Sequence, residues 1–305
     1  MELLEAIILS VLAASTPLLI AATGELVTER SGVLNLGVEG MMISGAACGF
    51  GGAWATGSII LGALCGMLAG TALSLIFAAM TLGLAVNQVA TGLALTILGV
   101  GLSGLIGAGF VGERVTTAPH LRIPGLTDIP LLGRIVFGED AFVYLSLALI
   151  IGVWWFLYRT RAGLILRACG DNHVSAHALG YPVLRIRLLA VMFGGACAGL
   201  AGAYLPLAYT PFFIPGMTAG RGWIALALVV FASWRPGRLV VGAYLFGAVT
   251  ILQLHAQGAG IGVPSQFMSA LPYLATVIVL VLLSRTRSGG STAPAALGTV
   301  FVPDR

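Results

Sequence analysis

Nine apolar runs separated by short polar interruptions make up most of this 305-residue chain, at 3–24, 33–54, 59–84, 89–110, 141–158, 188–209, 223–234, 239–255 and 271–284. Several reach the roughly 18 to 20 residues that a helix needs to cross a hydrocarbon core, so the spanning elements are helices and not barrel strands. The pattern predicts an all-α integral membrane protein, a polytopic bundle of about eight to ten spanning or half-spanning helices. The 223–234 run is too short for a full crossing and follows "TPFFIPGMTAGRG". It reads as a broken or re-entrant element, tolerated only where protein or a water-filled cavity covers the freed backbone.

The polar interruptions are unequal. Thr160 to Arg187, with Arg159 just before it, carries five of the fifteen arginines between two apolar runs. Within it, "NHVSAHALG" reads as a short helix capped by Asp171 or Asn172 and stopped by Gly180. Its apolar positions Val174, Ala178 and Leu179 form only a narrow stripe, so it gains little by burial against its own chain. It suits either an ordinary positive-inside loop or a helix that docks into a partner's groove. With the interruptions at 25–32, 159–187 and 235–238 and the tail after 284 in the cytoplasm, eleven of the fifteen arginines lie inside. That bias puts the opening segment and the C-terminus inside. The opening "MELLEAIILSVLAAS" has acids where a secretory signal carries positive charge, so the first helix is expected to be retained.

Composition agrees and excludes several chemistries. Only 9% of residues are charged, against roughly 25% in soluble domains, and mean hydropathy is +1.03. Every basic residue is arginine. Without lysine there is no Walker A loop and no Schiff-base chemistry, so ATP, if it powers the protein, is hydrolysed by another chain. Cys48, Cys65, Cys169 and Cys197 are isolated and suggest no disulfide framework. His173 and His177 share helical i, i+4 spacing but lack a nearby third ligand, so a solvated helix face is the default over a metal site. No HExxH or GxSxG constellation is present, and 188–284 contains no acid able to carry a coupling ion. Both facts weigh against a membrane enzyme and a stand-alone secondary transporter.

Inside the runs, Gly62, Gly66 and Gly70 recur every fourth residue, a stripe that lets helix backbones approach closely, within one subunit or at a dimer seam. Asn35 and Glu39 share a helix face. A carboxylate there costs roughly 2.5 to 3.5 kcal/mol at a helix centre unless paired or hydrated. Glu39 therefore either lines a translocation cavity, or pairs with Arg30, or caps a re-entrant helix. Asn87 and Gln88 open one helix, and Gln253, His255 and Gln257 close another; they line a polar path or satisfy helix termini. One membrane domain at 1–287, with a cytoplasmic loop at 159–187 and a short cytoplasmic tail at 288–305, is the economical organisation. The tail stretch "RTRSGGSTAPAALG" reads as a mobile end.

The segment "TRAGLILRACGDNHVSAHALGYPVLRIR" resembles the coupling-helix region of ABC-importer permeases of the branched-chain amino acid and simple-sugar class. "ERSGVLNLGVEGMM", "NQVATGLAL", "AGAYLPLAYTPFFIPGMTAGRGWIALALVVFASWRPG", "LPYLATVIVLV" and the closing "APAALG" resemble the nucleoside-transport branch, so the likeness covers nearly the whole chain. It implies a type II-like importer in the bacterial inner membrane, with no nucleic acid and no cofactor of its own. The expected partners are a cytoplasmic ABC ATPase, a second and non-identical permease subunit, and an extracytoplasmic substrate-binding lipoprotein, besides membrane lipid. The cargo it implies is a nucleoside or related base, with a simple sugar as the alternative. By this resemblance, coupling to the ATPase falls on Arg167, Gly170, Asp171, Asn172, Ala176 and Gly180, with Asp171 standing where the family normally has Glu.

Overall fold

The computed structural model describes residues 2–121, 132–258 and 293–303, together with 267, 270, 274, 277, 278 and 281. Most of the expected helix at 271–284 and the tail start at 288–292 lie outside the described residues. Among the described residues the protein is all-α: no strand forms beyond an isolated bridge between His120 and Asp140, and six helices are long and apolar enough to cross a membrane.

The first element, α1 (Glu2–Arg30), is one unbroken helix despite Pro17 in its interior. Proline removes the N–H that would bond the carbonyl of Ala13. The Tyr204 hydroxyl donates to that carbonyl instead, at 3.1 Å, so the helix continues. The apolar run and the polar stretch Glu25–Arg30 thus form a single rod of about 43 Å. Its C-terminal end abuts the arginine-rich segment, where a Cβ at Gly170 would collide with the Arg30 carbonyl. Its early residues Leu9 and Ser10 share a cavity with His120 and Glu139 at the other end. With the arginine-rich segment inside, the opening segment is outside, which corrects the placement drawn from charge bias. The cause is that 25–32 ends a crossing whose start must then face the opposite side.

Two crossings are broken. After α1 the chain runs without helix through 31–37 into α2 (Val38–Thr56), and 210–220 leads into the short α10 (Arg221–Phe231). At 1.5 Å per residue, α10 covers about 16 Å, half a hydrocarbon core. The buried 31–37 link meets its backbone needs through other segments. The Arg187 guanidinium donates to the carbonyl of Ser31, the N–H of Leu34 donates to Gln88, the N–H of Asn35 donates to Glu25, and the Thr96 hydroxyl donates to the carbonyl of Leu36. Irregular backbone inside a membrane protein is stable only with such accounting.

The remaining elements are α3 (Ile59–Ala78), α4 (Gln88–Gly107), α5 (Leu132–Phe137), α6 (Ala141–Arg159), α7 (Arg161–Asp171), α8 (His173–Ala178), α9 (Val183–Tyr204) and α11 (Pro236–Gly258). A π-helical turn extends α3 over Ala79–Gly83, and another extends α9 over Leu205–Tyr209. Burial sorts the spans: 72% of the most apolar window of α9 is buried, against 28% for α3 and for α4. α9 is therefore central, and α3 and α4 present apolar faces outward. The glycine stripe of α3 packs within this chain. Gly66 and Gly70 meet Gly195 and Gly199 of α9 so closely that a Cβ on any of them would strike the facing helix.

The tail is a further correction. Residues 293–303 do not hang free: Ala296 N–H donates to the carbonyl of Gly170 at 2.9 Å, Gly298 N–H to that of Gly32 at 3.1 Å, and Phe301 is buried with Cys169, Ala176 and Val183. Phe301 supplies the apolar anchor that the glycine- and serine-rich stretch before it lacks.

Candidate functional site

The arginine-rich segment folds as two short helices with sequence-encoded caps. Thr160 Oγ1 accepts from Gly163 N–H at 3.0 Å and starts α7; Asn172 Oδ1 accepts from Ser175 N–H at 2.9 Å and starts α8. Gly180, at φ +86°, reverses the chain after α8 in a conformation that disfavours any side chain. Asn172 is thus the cap, while Asp171 lines a 730 Å³ polar cavity with Arg30, Tyr158, Arg235 and Arg238.

The six residues assigned to coupling divide by direction. Asp171, Asn172 and Gly180 are exposed. Gly170 and Ala176 face inward, the first against Arg30, the second into the cluster around Phe301. Arg167 leans back over the Tyr158 ring, 4.9 Å from its centroid. On α8 and the turn that ends it, the outward large apolar positions are Val174 and Leu179, 64% and 77% exposed.

Behind α8 lies Arg187, a fully buried cation on α9. Its guanidinium donates to the carbonyls of Ser31 at 3.1 Å and Thr299 at 3.2 Å, and reaches Nδ1 of His173 at 3.3 Å. Arginine can only donate, so Nδ1 of His173 accepts and the imidazole is neutral. Partial burial and the adjacent Arg187 charge both push the His173 pKa down, in agreement. The Ser31 carbonyl stands at the negative end of α1, which offsets part of the arginine's charge. One side chain thus ties the start of α8, the end of α1 and the tail together. The rings of His173 and His177 rest against Phe301, at 5.0 and 5.4 Å, so this pair supports the tail and is not assembled as a metal site. Among the described residues no group of three potential metal ligands forms.

The second constellation lies where the broken crossings meet. Glu39, in the first turn of α2, accepts from Thr218 Oγ1 at 2.6 Å and Gly220 N–H at 3.0 Å through Oε1, and from Gly222 N–H at 2.6 Å through Oε2. Gly220, the N-cap residue of α10, has no side chain to cap with, so Glu39 caps that helix from a neighbouring element and faces its positive end. A Cβ at Gly222 would overlap the Glu39 backbone, which is why the contact needs glycine there. Of the readings the sequence left open for Glu39, the geometry has the helix-capping contact.

Asn35 is fully buried, its Oδ1 accepting from Gly37 N–H at 3.0 Å, and Gln88 Oε1 accepts from Leu34 N–H at 2.8 Å; both brace the 31–37 link. Asn87 is exposed and caps α4, and Gln253 sits half-buried near the end of α11. The structure therefore sets Asn35 and Gln88 on the 31–37 link, turns Asn87 beside them to the surface, and leaves Gln253 on α11. Sequence reasoning missed the role of Arg187, the anchor Phe301, and the contact in which Trp234 Nε1 donates to Glu29. Acids four residues apart at 25 and 29, just after a long apolar run, were the available signal for that last contact.

Comparison with known proteins follows the same outline. The family model described as the branched-chain amino acid transport system / permease component matches residues 7–283. A Haloferax volcanii protein whose name assigns it provisionally as a glucose ABC transporter permease is 45% identical over 93% of both chains. The guanosine ABC transporter permease of Bacillus subtilis is 31% identical over 99% of this chain and 98% of its own length. The nucleoside ABC transporter permease of Lactococcus lactis is likewise 31% identical, over 99% and 98%.

Proposed function

Since this chain belongs to the branched-chain amino acid transport permease family and is a multi-pass ABC importer permease, we propose that it forms the passage for a nucleoside and is driven through α8 by a separate ATPase. The observation that carries the reading is the capped α8 with Val174 and Leu179 bare on one side and Arg187 bracing the other. A push on α8 is transmitted through Arg187 to the 31–37 link and from there to α2, whose first turn holds α10 through Glu39. Small rigid-body shifts of packed helices are how such transitions propagate.

The cargo reading rests on the quoted nucleoside-branch motifs and on the two relatives named for guanosine and nucleoside transport. A glucose-type sugar is the second reading, favoured by the relative at 45% identity. The assembly we propose contains a second, non-identical permease, an ATPase and an extracytoplasmic lipoprotein in the bacterial inner membrane. Weak contacts along the passage suit such a device, because tight binding midway would slow release. The test is uptake into vesicles carrying the assembled importer, with labelled guanosine, adenine and glucose. ATP-dependent uptake of guanosine, uncompeted by glucose, supports the nucleoside reading; uptake of glucose alone replaces it with the sugar reading.

A further inference from the structure

The end of the molecule opposite α8 holds a polar cavity of 480 Å³ between the first half of α1, the start of α6 and the ends of α9 and α11. Ser10, His120, Glu139, Asp140, Tyr209 and His255 contribute its polar groups. Asp140 is already committed: its Oδ1 accepts from the N–H groups of Phe142 and Val143, at 2.8 and 3.1 Å, and caps α6. Glu139 is held by its backbone, its N–H donating to the Tyr144 hydroxyl at 3.3 Å and its carbonyl accepting from Leu121 N–H at 3.0 Å. Glu139 is 4% exposed, and its Oε1 is buried with no hydrogen-bond partner. A buried oxygen left without a donor costs about 1 to 3 kcal/mol, so such an atom in a native site points to a donor that arrives from outside the chain.

We infer that this cavity is a binding site for the hydroxyl-bearing ring of a neutral solute, with Glu139 as the acceptor for a ring hydroxyl. The volume falls within the usual range for small-molecule sites. The polar groups around it form a mixed set of acceptors and donors, carboxyl, imidazole, phenol and hydroxyl, which suits a polyol better than a lone cation. Burial and the adjacent Asp140 push the Glu139 carboxyl up to about 7. Near neutrality it therefore spends much of its time uncharged and both gives and takes hydrogen bonds. A sugar ring and the ribose of a nucleoside share this chemistry. The inference rests on the importer reading above for its biological sense, because this is the face on which cargo would enter.

The test is saturation-transfer NMR on the full chain in lipid nanodiscs, without any solute-binding protein, using uridine and glucose as probes and tetramethylammonium as a cation control. The expected result is saturation of ring protons beside hydroxyls in at least one of the two probes, not competed by the cation. It falls at least fivefold in Glu139→Ala and stays within about threefold of wild type in Glu139→Gln, which keeps an acceptor. Absence of signal in the wild-type chain, an unchanged signal in Glu139→Ala, or competition by the cation each overturn the inference. If ATP-dependent uptake by the assembled importer survives Glu139→Ala unchanged, the importer reading stands and this site falls. If the site binds but no ATP-dependent uptake occurs, the reverse holds.

Discussion

Replacing Glu39 by alanine removes one carboxylate that satisfies three donors at the junction of the two broken crossings, Thr218 Oγ1 and the N–H groups of Gly220 and Gly222. Hydrogen bonds to a charged group contribute about 1.5 to 3 kcal/mol each, and donors stranded in a buried site bear their desolvation cost as well. The three bonds share one side chain and are not additive, so the expected loss is about 3 to 5 kcal/mol. At this chain length roughly 2 °C of Tm corresponds to 1 kcal/mol, giving a drop of about 6 to 10 °C. Glu39→Gln keeps one acceptor oxygen but turns an amide N–H₂ toward another donor, so it should lose about half as much. Thr218→Val deletes a single bond, and a double-mutant cycle with Glu39→Ala should show coupling of about 1 to 2 kcal/mol. Thermal unfolding of purified protein in detergent, followed by loss of monodispersity, reads all four variants. An alanine variant within 2 °C of wild type, or a glutamine variant as damaged as the alanine one, would refute the assignment of Glu39 as the cap of α10.

Three further outcomes follow from the packing and the caps. Gly199→Val should abolish folded yield, because the new side chain must displace the backbone of Gly66, whereas Gly101→Val, with open space around it, should express as wild type. Asn172→Ala should lower Tm by only about 2 °C, the usual worth of an N-cap, yet Asn172→Ala and Asp171→Ala should each cut ATP-dependent uptake at least fivefold; normal uptake by both removes the coupling role. The folded chain holds the Glu139 proton more tightly than the unfolded chain does, with a pKa of about 7 against an ordinary 4.5. Stability from that group is full below pH 4.5 and is lost as pH rises through 7, so the Tm of wild type relative to Glu139→Gln should fall between pH 5 and pH 8; a constant difference contradicts the burial.

The run lengths made the helical membrane bundle legible, and the shortness of 223–234 marked the broken crossing that α10 completes. The cap of α8 could be read, as Asp171 or Asn172, because such residues carry their instruction locally; Asp140 and Thr160 carry the same local signal for α6 and α7 and went unread. What sequence reading could not supply was direction. Ala176 and Val174 are both small apolar residues on a six-residue helix, and only the tertiary position of Phe301, more than a hundred residues downstream, buries one and leaves the other bare. Arg187 likewise counted toward a positive-inside loop, because a charged residue two positions after Arg185 gives no sign that it points into the protein. The length of α1 was underestimated for a related reason: Glu25 and Glu29 looked like the start of a loop, although their burial against the 31–37 link and Trp234 keeps them in the helix.

The central claim is that this chain is a passage worked from the α8 face by a separate ATPase. It is tested most directly by ATP-driven solute uptake in proteoliposomes containing the assembled importer, comparing wild type with Leu179→Asp, which places a charge on the exposed apolar position of the coupling segment. The account predicts uptake that requires both ATP and the ATPase subunit, and a Leu179→Asp chain that inserts and folds but neither retains the ATPase on purification nor transports. Accumulation of solute by this chain alone, or wild-type uptake by Leu179→Asp, would contradict it.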